Sequence, residues 1–478
     1  MRRGHFSLND LPAWCVLNNV AFVNAKGTDI EGRGYGLIAE KDLVNDDDNF
    51  ELPALLTIPK DLILSVEGVE EYAKENKDFR QLLDTAGHQS TREDILIFLL
   101  VQLVLSSPDY EGGLGPSTPW TQYFSLLPSH VPTPTMWYEF ELSYLKGTSL
   151  EPAVSAKLTT LTKEFDDLCA KAACLPFWDE LLSIEESITV QDWLLLDALY
   201  RSRSLGLPQS GESMVPCLDL VNHSSEATAY FDENSKGEVV LRLRKGCVVP
   251  KGSEITIDYG TEKSSAEMLF SYGFIDPDSI VKSLVLPLDP LNDDPLAAAK
   301  LHAFGKAPKL ELAEDERGIP HWTAPFVYLM CLNEEDGLQL RVLQETDGSR
   351  HLKMYWQDVD VTDVPDKIKD HICSHELYRI FELRAITVVI DIIQRQLQEL
   401  TDSRDRDRPL GSTSEEIWKS ISRLTSIETS ILENSLQALD DQRTQLLEHD
   451  TVVEYLKSMG PDQNEIAAEA ANDEDDFS

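Results

Sequence analysis

The sequence predicts an α+β protein: a β-rich part interrupted by a helical insert and followed by an all-α C-terminal domain. Three observations support this. Short β-rich runs broken by glycine and proline turns occupy Trp14 to Pro59 and return after Ser213. Between them, from about Glu67 to Gly206, the apolar spacing is helical. Beyond about Pro290 two long amphipathic segments dominate. A chain of 478 residues is too long for one small core. The expected divisions are 1–66 and 207–290 for the β-rich part, 67–206 for the insert, 291–460 for the helical domain and 461–478 for an acidic, disordered tail.

In the first part, "CVLNNVAFV" is β-rich, "EGRGYGLIA" is a glycine-punctuated turn into a strand, and "ALLTIPKDLIL" is a further apolar stretch. The insert opens its helices with capping spacings. Thr91/Asp94 precedes "ILIFLLVQLVL", and Thr189/Asp192 precedes "WLLLDALYRSRSL". The run Ile95 to Leu105 is too short to cross a bilayer and reads as a buried helix. "PWTQYFSLLPSHVPTP" between them reads as a packed, aromatic loop.

After Ser213 an apolar strand ends in Asn222-His223, which fits either a turn or a ligand pocket. "VVLRLR" alternates with period two, and "VPKGSEITIDYG" turns at Pro250-Lys251-Gly252 into a strand. A short helix follows, with Ser264/Glu267 as capping box and Gly273 as its stop. "ELYRIFELRAITVVIDIIQRQLQEL" and the segment from Ser414 to Leu447 supply the long helices, joined by the charged linker "TDSRDRDRPLGSTS".

Composition narrows the function. Forty-two Lys plus Arg face 84 Asp plus Glu, a net charge of −42. That argues against nucleic-acid binding, which needs a basic surface, and suits a basic partner or simple solubility. Seven cysteines without a CxxC pair, and no apolar core behind "MRRGHFSLND", lead to reduced thiols and a cytoplasmic or nuclear location, with no membrane association. "HICSH" offers His371 and His375 on one helical face but no further ligand cluster, so no metal is expected. The glycines at 32, 34 and 36 imitate a Rossmann loop, yet no helix of useful length and no βαβ alternation follows. A glycine-rich hairpin fits better.

Five motifs stand together in order from Gly32 to Phe274: "GRGYGLIA", "LYRSRSL", "DLVNHS", "GSEITIDYG" and "AEMLFSYGF". In these the chain resembles SET-domain protein-lysine methyltransferases, of the group related to the Rubisco large-subunit lysine methyltransferase. That group has a split SET domain with a helical insert and a C-terminal substrate-binding domain. Ser265 departs from the pattern, since the family usually has Asn there.

The resemblance implies S-adenosylmethionine as methyl donor and no metal. Asn222 and His223 would hold the donor, Arg203 would face its carboxylate, and Gly34, Tyr35 and Gly36 would lie along it through their backbone. Glu67 is a further candidate for the same pocket. Tyr259 would be the catalytic tyrosine, Tyr272 would act with it and line the lysine channel, and Tyr230 would join the channel. The substrate would be a basic, non-histone protein, with ribosomal and translation proteins among the candidates, and the enzyme is expected to be a monomer. Two alternatives stay open: a histidine-directed protein methyltransferase, and a degenerate SET-fold binding protein.

Overall fold

A computed structural model of the chain describes residues 4–45, 54–110, 112, 117–184, 187–291, 293–344, 350–404 and 413–459. It divides into two compact units. One comprises Met1–Leu145 with Leu150–Val281, the other Lys146–Ser149 with Lys282–Ser478.

In the first unit the sheets are built from strands on both sides of the helical insert. Leu56–Ile58 pairs antiparallel with Val239–Leu243, in a four-stranded sheet completed by Ala21–Phe22 and Ala229–Glu233. Leu43–Val44 pairs with Val248–Val249. Ala25–Ile30 and Gly34–Ala39 form the expected glycine hairpin, and Glu254–Ile255 adds to the outer edge of Gly34–Ala39. Gly32 and Gly34 sit at φ 73°, a region glycine enters without steric cost. The pairing of residues near 40 and 56 with residues near 240 and 250 is non-local, so the helices between close one long excursion from a single β-rich core.

The insert follows its apolar pattern. Ile95 to Val104 are buried within the helix Thr91–Ser106. Its cap lies one residue earlier than the sequence spacing suggested: Ser90 accepts from the Glu93 N–H, while Asp94 accepts from the His88 N–H at 2.7 Å. The Thr189/Asp192 box is present on the helix Val190–Arg203, and Ser264/Glu267 with Gly273 (φ 83°) bounds Ser265–Tyr272.

Four local expectations change. "CVLNNVAFV" begins inside a helix, Leu11–Leu17, because Pro12 favours a helix start and Trp14 and Cys15 bury one face; only Ala21–Phe22 is strand. "PWTQYF" is the helix Pro119–Phe124 rather than loop. The run before Asn222 is not a strand, because Cys217 at φ 67° turns the chain into the 3-10 turn Leu218–Leu220. The helix Tyr378–Arg404 runs into the charged linker; 405–412 and the acidic tail lie outside the described residues.

The second unit has its own core around Leu310, Phe326, Met354, Phe381 and Ile393. The long helices Tyr378–Arg404 and Thr413–Leu447 are there. The unit is not all-α, however. Ser283–Pro287, Lys309–Glu314 and Pro320–Thr323 form one antiparallel sheet, and Leu338–Gln344, Arg350–Trp356 and Val359–Asp360 another. These strands are short, carry charged residues on their outer faces and are flanked by strong helical patterns, which conceals their period-two alternation.

Glu428, on the second long helix, is buried and accepts hydrogen bonds from the Ser149 N–H (3.1 Å) and Oγ. Burial pushes its carboxyl up to about 7, against the lowering effect of the Ser149 bonds. The native state therefore holds this proton more tightly than the unfolded chain. The resulting stabilisation is full below the ordinary value of 4.5 and is lost as pH rises through about 7. In Glu428→Gln this slope disappears. Urea midpoints across that range should be flatter in the variant than in the wild type.

Candidate active site

Residues 221–224 and 255–259 run side by side, with His223 bridged in parallel to Ile257. The Ile257 N–H donates to the Asn222 carbonyl at 3.0 Å, and the Ser224 N–H donates to the Ile257 carbonyl at 3.1 Å. The buried His223 ring locks the next turn. Its Nδ1 accepts the Tyr259 N–H at 3.1 Å, so the ring proton resides on Nε2, which donates to Asp276 at 3.2 Å.

Tyr259 donates its hydroxyl proton to the Val221 carbonyl at 2.8 Å. The Tyr272 ring packs on it, 4.7 Å between centroids, and the Tyr272 hydroxyl donates to the Tyr259 carbonyl at 3.3 Å. Phe274 borders Tyr272 and His223. Burial pushes both phenols above their ordinary value of 10; Arg203 opposes this at Tyr259, while Tyr272 and Asp219 add to it. Both tyrosines are thus neutral near pH 7 and act as hydrogen-bonding groups rather than bases. Lys263 Nζ also donates to the Tyr259 carbonyl.

Arg203 ends the helix Val190–Arg203, with Nε 3.7 Å from the buried Asp219 carboxylate. Asp219 also accepts the Tyr123 hydroxyl, and Tyr123 in turn accepts the Cys217 N–H at 2.7 Å. Burial pushes the Asp219 carboxyl up, against Arg203 and Tyr123, which favour its charged form.

Asn222 meets the glycine hairpin. Its Nδ2 donates to the Tyr35 carbonyl at 3.3 Å and to Glu254 Oε1 at 2.8 Å. A Cβ on Gly36 would stand 2.9 Å from that Nδ2 and 2.3 Å from Ile30 Cδ1. The Ile30 tip can move, whereas Asn222 cannot without giving up its bonds. Gly36→Ala is therefore expected to weaken binding at this site about tenfold or more, the scale of a lost buried hydrogen bond, with the fold retained. Calorimetric titration of S-adenosylmethionine checks this.

Of the sequence candidates, Asn222, His223, Tyr259, Tyr272, Arg203, Tyr35 and Gly36 are brought into one connected group, with Gly34 at the start of the same strand. Glu67 lies in the first turn of Val66–Glu75, exposed and paired with Lys60 at 3.0 Å. Tyr230 is exposed on Ala229–Glu233, opposite Arg242. No hydrogen bond, ion pair or ring contact among the described residues joins these two to the group. Sequence reading missed Arg33, Asp219, Glu254 and Asp276. Arg33 and Glu254 sit inside the quoted motifs, but only the fold reveals that they pair across the sheet. Ser265, in place of the family's Asn, is buried in the first turn of its helix. His375 of "HICSH" packs on Trp356 and Phe381, and no metal-binding cluster occurs among the described residues.

No family model matches the chain. SET domain-containing protein 8 of Schizosaccharomyces pombe is 29% identical over 416 residues, 84% of this chain and 89% of that protein. The chloroplastic ribulose-1,5 bisphosphate carboxylase/oxygenase large subunit N-methyltransferase of Pisum sativum is 25% identical over 71% of this chain and 67% of its own. A crystal structure of the SET domain of LSMT bound to lysine and AdoHcy superposes with a TM-score of 0.64, covering 97% of this chain and 98% of that one at 19% identity. The chain is similar, over most of its length, to SET-domain proteins of the group related to the Rubisco large-subunit methyltransferase. The SET-domain likeness is not confined to lysine-directed relatives. An actin-histidine N-methyltransferase of Rhinolophus ferrumequinum is 22% identical over 68% of this chain and 53% of that protein. In this chain the strand pairings across the insert bring the Asn222 and Tyr259 segments together.

Proposed function

We propose that the chain methylates the side-chain amine of a lysine in a basic protein substrate, using S-adenosylmethionine. Similarity to SET-domain methyltransferases supports the reaction class and the donor; the lysine acceptor is the finer reading. The observation that supports it is the pair of neutral, partly buried tyrosines at the crossing. Tyr259 has committed its only proton to the Val221 carbonyl, so its oxygen is left as an acceptor for an incoming N–H.

The residues fit the donor. Asn222 Oδ1 has no partner among the described residues, Gly36 leaves room where a Cβ would intrude, and Arg203 presents a guanidinium suited to a carboxylate. When bound, S-adenosylmethionine supplies a sulfonium methyl group. The chain's own part is to exclude water, lower the affinity of the acceptor amine for its proton and hold its lone pair in line. A free lysine has a pKa of about 10.4, so an apolar aromatic channel is needed to favour the neutral amine. The amine proton leaves to water; two neutral phenols are not bases for it.

A histidine acceptor is the second reading, favoured by the actin-histidine relative. The protein is expected to work as a monomer in the cytoplasm or nucleus. No helix among the described residues is long and apolar enough to cross a membrane. The deciding experiment incubates the purified protein with methyl-labelled S-adenosylmethionine and a cell extract, hydrolyses the labelled protein and identifies the modified amino acid. Label in Nε-methyl-lysine supports the proposal. Label in methyl-histidine transfers it to the second reading, and an unlabelled protein fraction contradicts both.

A further inference from the structure

Asn222 is flanked by acceptors only on one side. Its Nδ2 reaches the Tyr35 carbonyl and Glu254 Oε1, neither of which can donate a hydrogen bond. The orientation of this carboxamide is therefore fixed: the NH₂ faces the hairpin, and the oxygen is turned to the other side. Both hydrogens are spent, so only an acceptor remains for a ligand.

Glu254 is itself held. Its second oxygen, Oε2, pairs with Arg33 Nη1 at 2.7 Å, and the other end of the same guanidinium donates to the His223 carbonyl at 2.5 Å. Arg33 is half-exposed and Glu254 mostly buried. One salt bridge thus ties the glycine hairpin to both Asn222 and His223. An exposed ion pair adds little to stability, yet here its geometry determines which atom of Asn222 is presented.

We infer that Glu254 is a positioning residue, braced by Arg33, that turns the Asn222 oxygen toward a hydrogen-bond donor on the ligand, the α-ammonium of S-adenosylmethionine. This rests on the reading of Asn222 as a donor-binding residue. Removing Glu254 frees the carboxamide to flip and to present its NH₂, which repels an ammonium. A Gln at 254 keeps an acceptor for Nδ2 but loses the pairing with Arg33.

The test is a double-mutant cycle read by calorimetry with two ligands, S-adenosylhomocysteine and 5′-methylthioadenosine. The second lacks the amino-acid moiety. Glu254→Ala should weaken S-adenosylhomocysteine about tenfold in the wild-type background and less than about twofold in Asn222→Ala, because the residue acts only through Asn222. Binding of 5′-methylthioadenosine should be unchanged in both, which a general loss of structure would not allow. If Glu254→Ala unfolds, Glu254→Gln carries the same comparison, with a smaller loss that also vanishes in Asn222→Ala. Equal weakening of both ligands, losses that multiply in the double variant, or unaltered affinity overturns the inference. If the wild type binds neither ligand, the donor-site reading itself fails and the clamp falls with it.

Discussion

Tyr259→Phe is expected to lower methyl transfer by about 10² or more while leaving affinity for S-adenosylmethionine near that of the wild type, as for a group that acts on the reacting atoms. The substitution removes one oxygen and little else. Phenylalanine keeps the ring contacts to Tyr272 at 4.7 Å and to His223 at 5.3 Å. The main-chain link from the Tyr259 N–H to His223 is untouched. What disappears is the oxygen proposed to accept from the amine. The Val221 carbonyl also loses its partner, at a cost of about 1–3 kcal/mol to the fold, which a thermal melt separates from the kinetic effect. Single-turnover rates with methyl-labelled donor measure the loss. Turnover equal to the wild type would remove Tyr259 from the reaction.

The largest stability effect is expected at Asp197, on the helix that ends in Arg203. Its carboxylate, 1% exposed, lies against Arg92 (2.7 Å), Lys157 (3.0 Å) and Arg201 (3.4 Å). Arg92 also grips Glu164 through two nitrogens, at 3.0 and 2.9 Å. Burial pushes the Asp197 carboxyl up, but Lys157, Arg201 and Arg92 outweigh it and leave it below its ordinary 3.8. In Asp197→Ala Arg92 keeps Glu164, while Lys157 and Arg201 lose their carboxylate partner in a largely buried setting. Breaking one partner out of such a cluster costs about 3–5 kcal/mol, because charge is left without compensation. A melting temperature lower by roughly 10 °C is expected for a unit of this size. A loss under about 1 kcal/mol would mean that water reaches the cluster and screens it. Arg201 also holds Thr135 Oγ1 at 2.7 Å and the Phe270 carbonyl, so the same change should loosen the helix carrying Tyr272.

The grouping of the candidate residues was readable in the sequence where a residue type stands visibly in a motif. Asn222-His223, "EITIDYG" and "EMLFSYGF" each end in residues that the fold gathers, and their order along the chain was the informative feature. The glycine hairpin was legible because three alternating glycines followed by "LIA" leave no room for a helix. Arg33, Glu254 and Asp276 were not legible as partners. Two charges 221 residues apart give no local sign that they meet. The sheets of the second unit were missed for a related reason: strands such as "LQLRVLQ" expose most of their side chains, so little apolar contrast marks them. "CVLNNVAFV" failed in the opposite sense. β-branched and apolar residues there serve a helix because tertiary burial of Trp14 and Cys15 overrides propensity.

The central claim is that the crossing of residues 221–224 with 255–259 binds the methyl donor. Calorimetric titration of S-adenosylmethionine into the wild type and into folded Asn222→Ala tests it most directly. The account predicts one site per chain in the wild type, and affinity lower by about tenfold or more in the variant, as for one hydrogen bond to a buried ligand. Equal affinity in the two proteins, or no binding to the wild type, would contradict it.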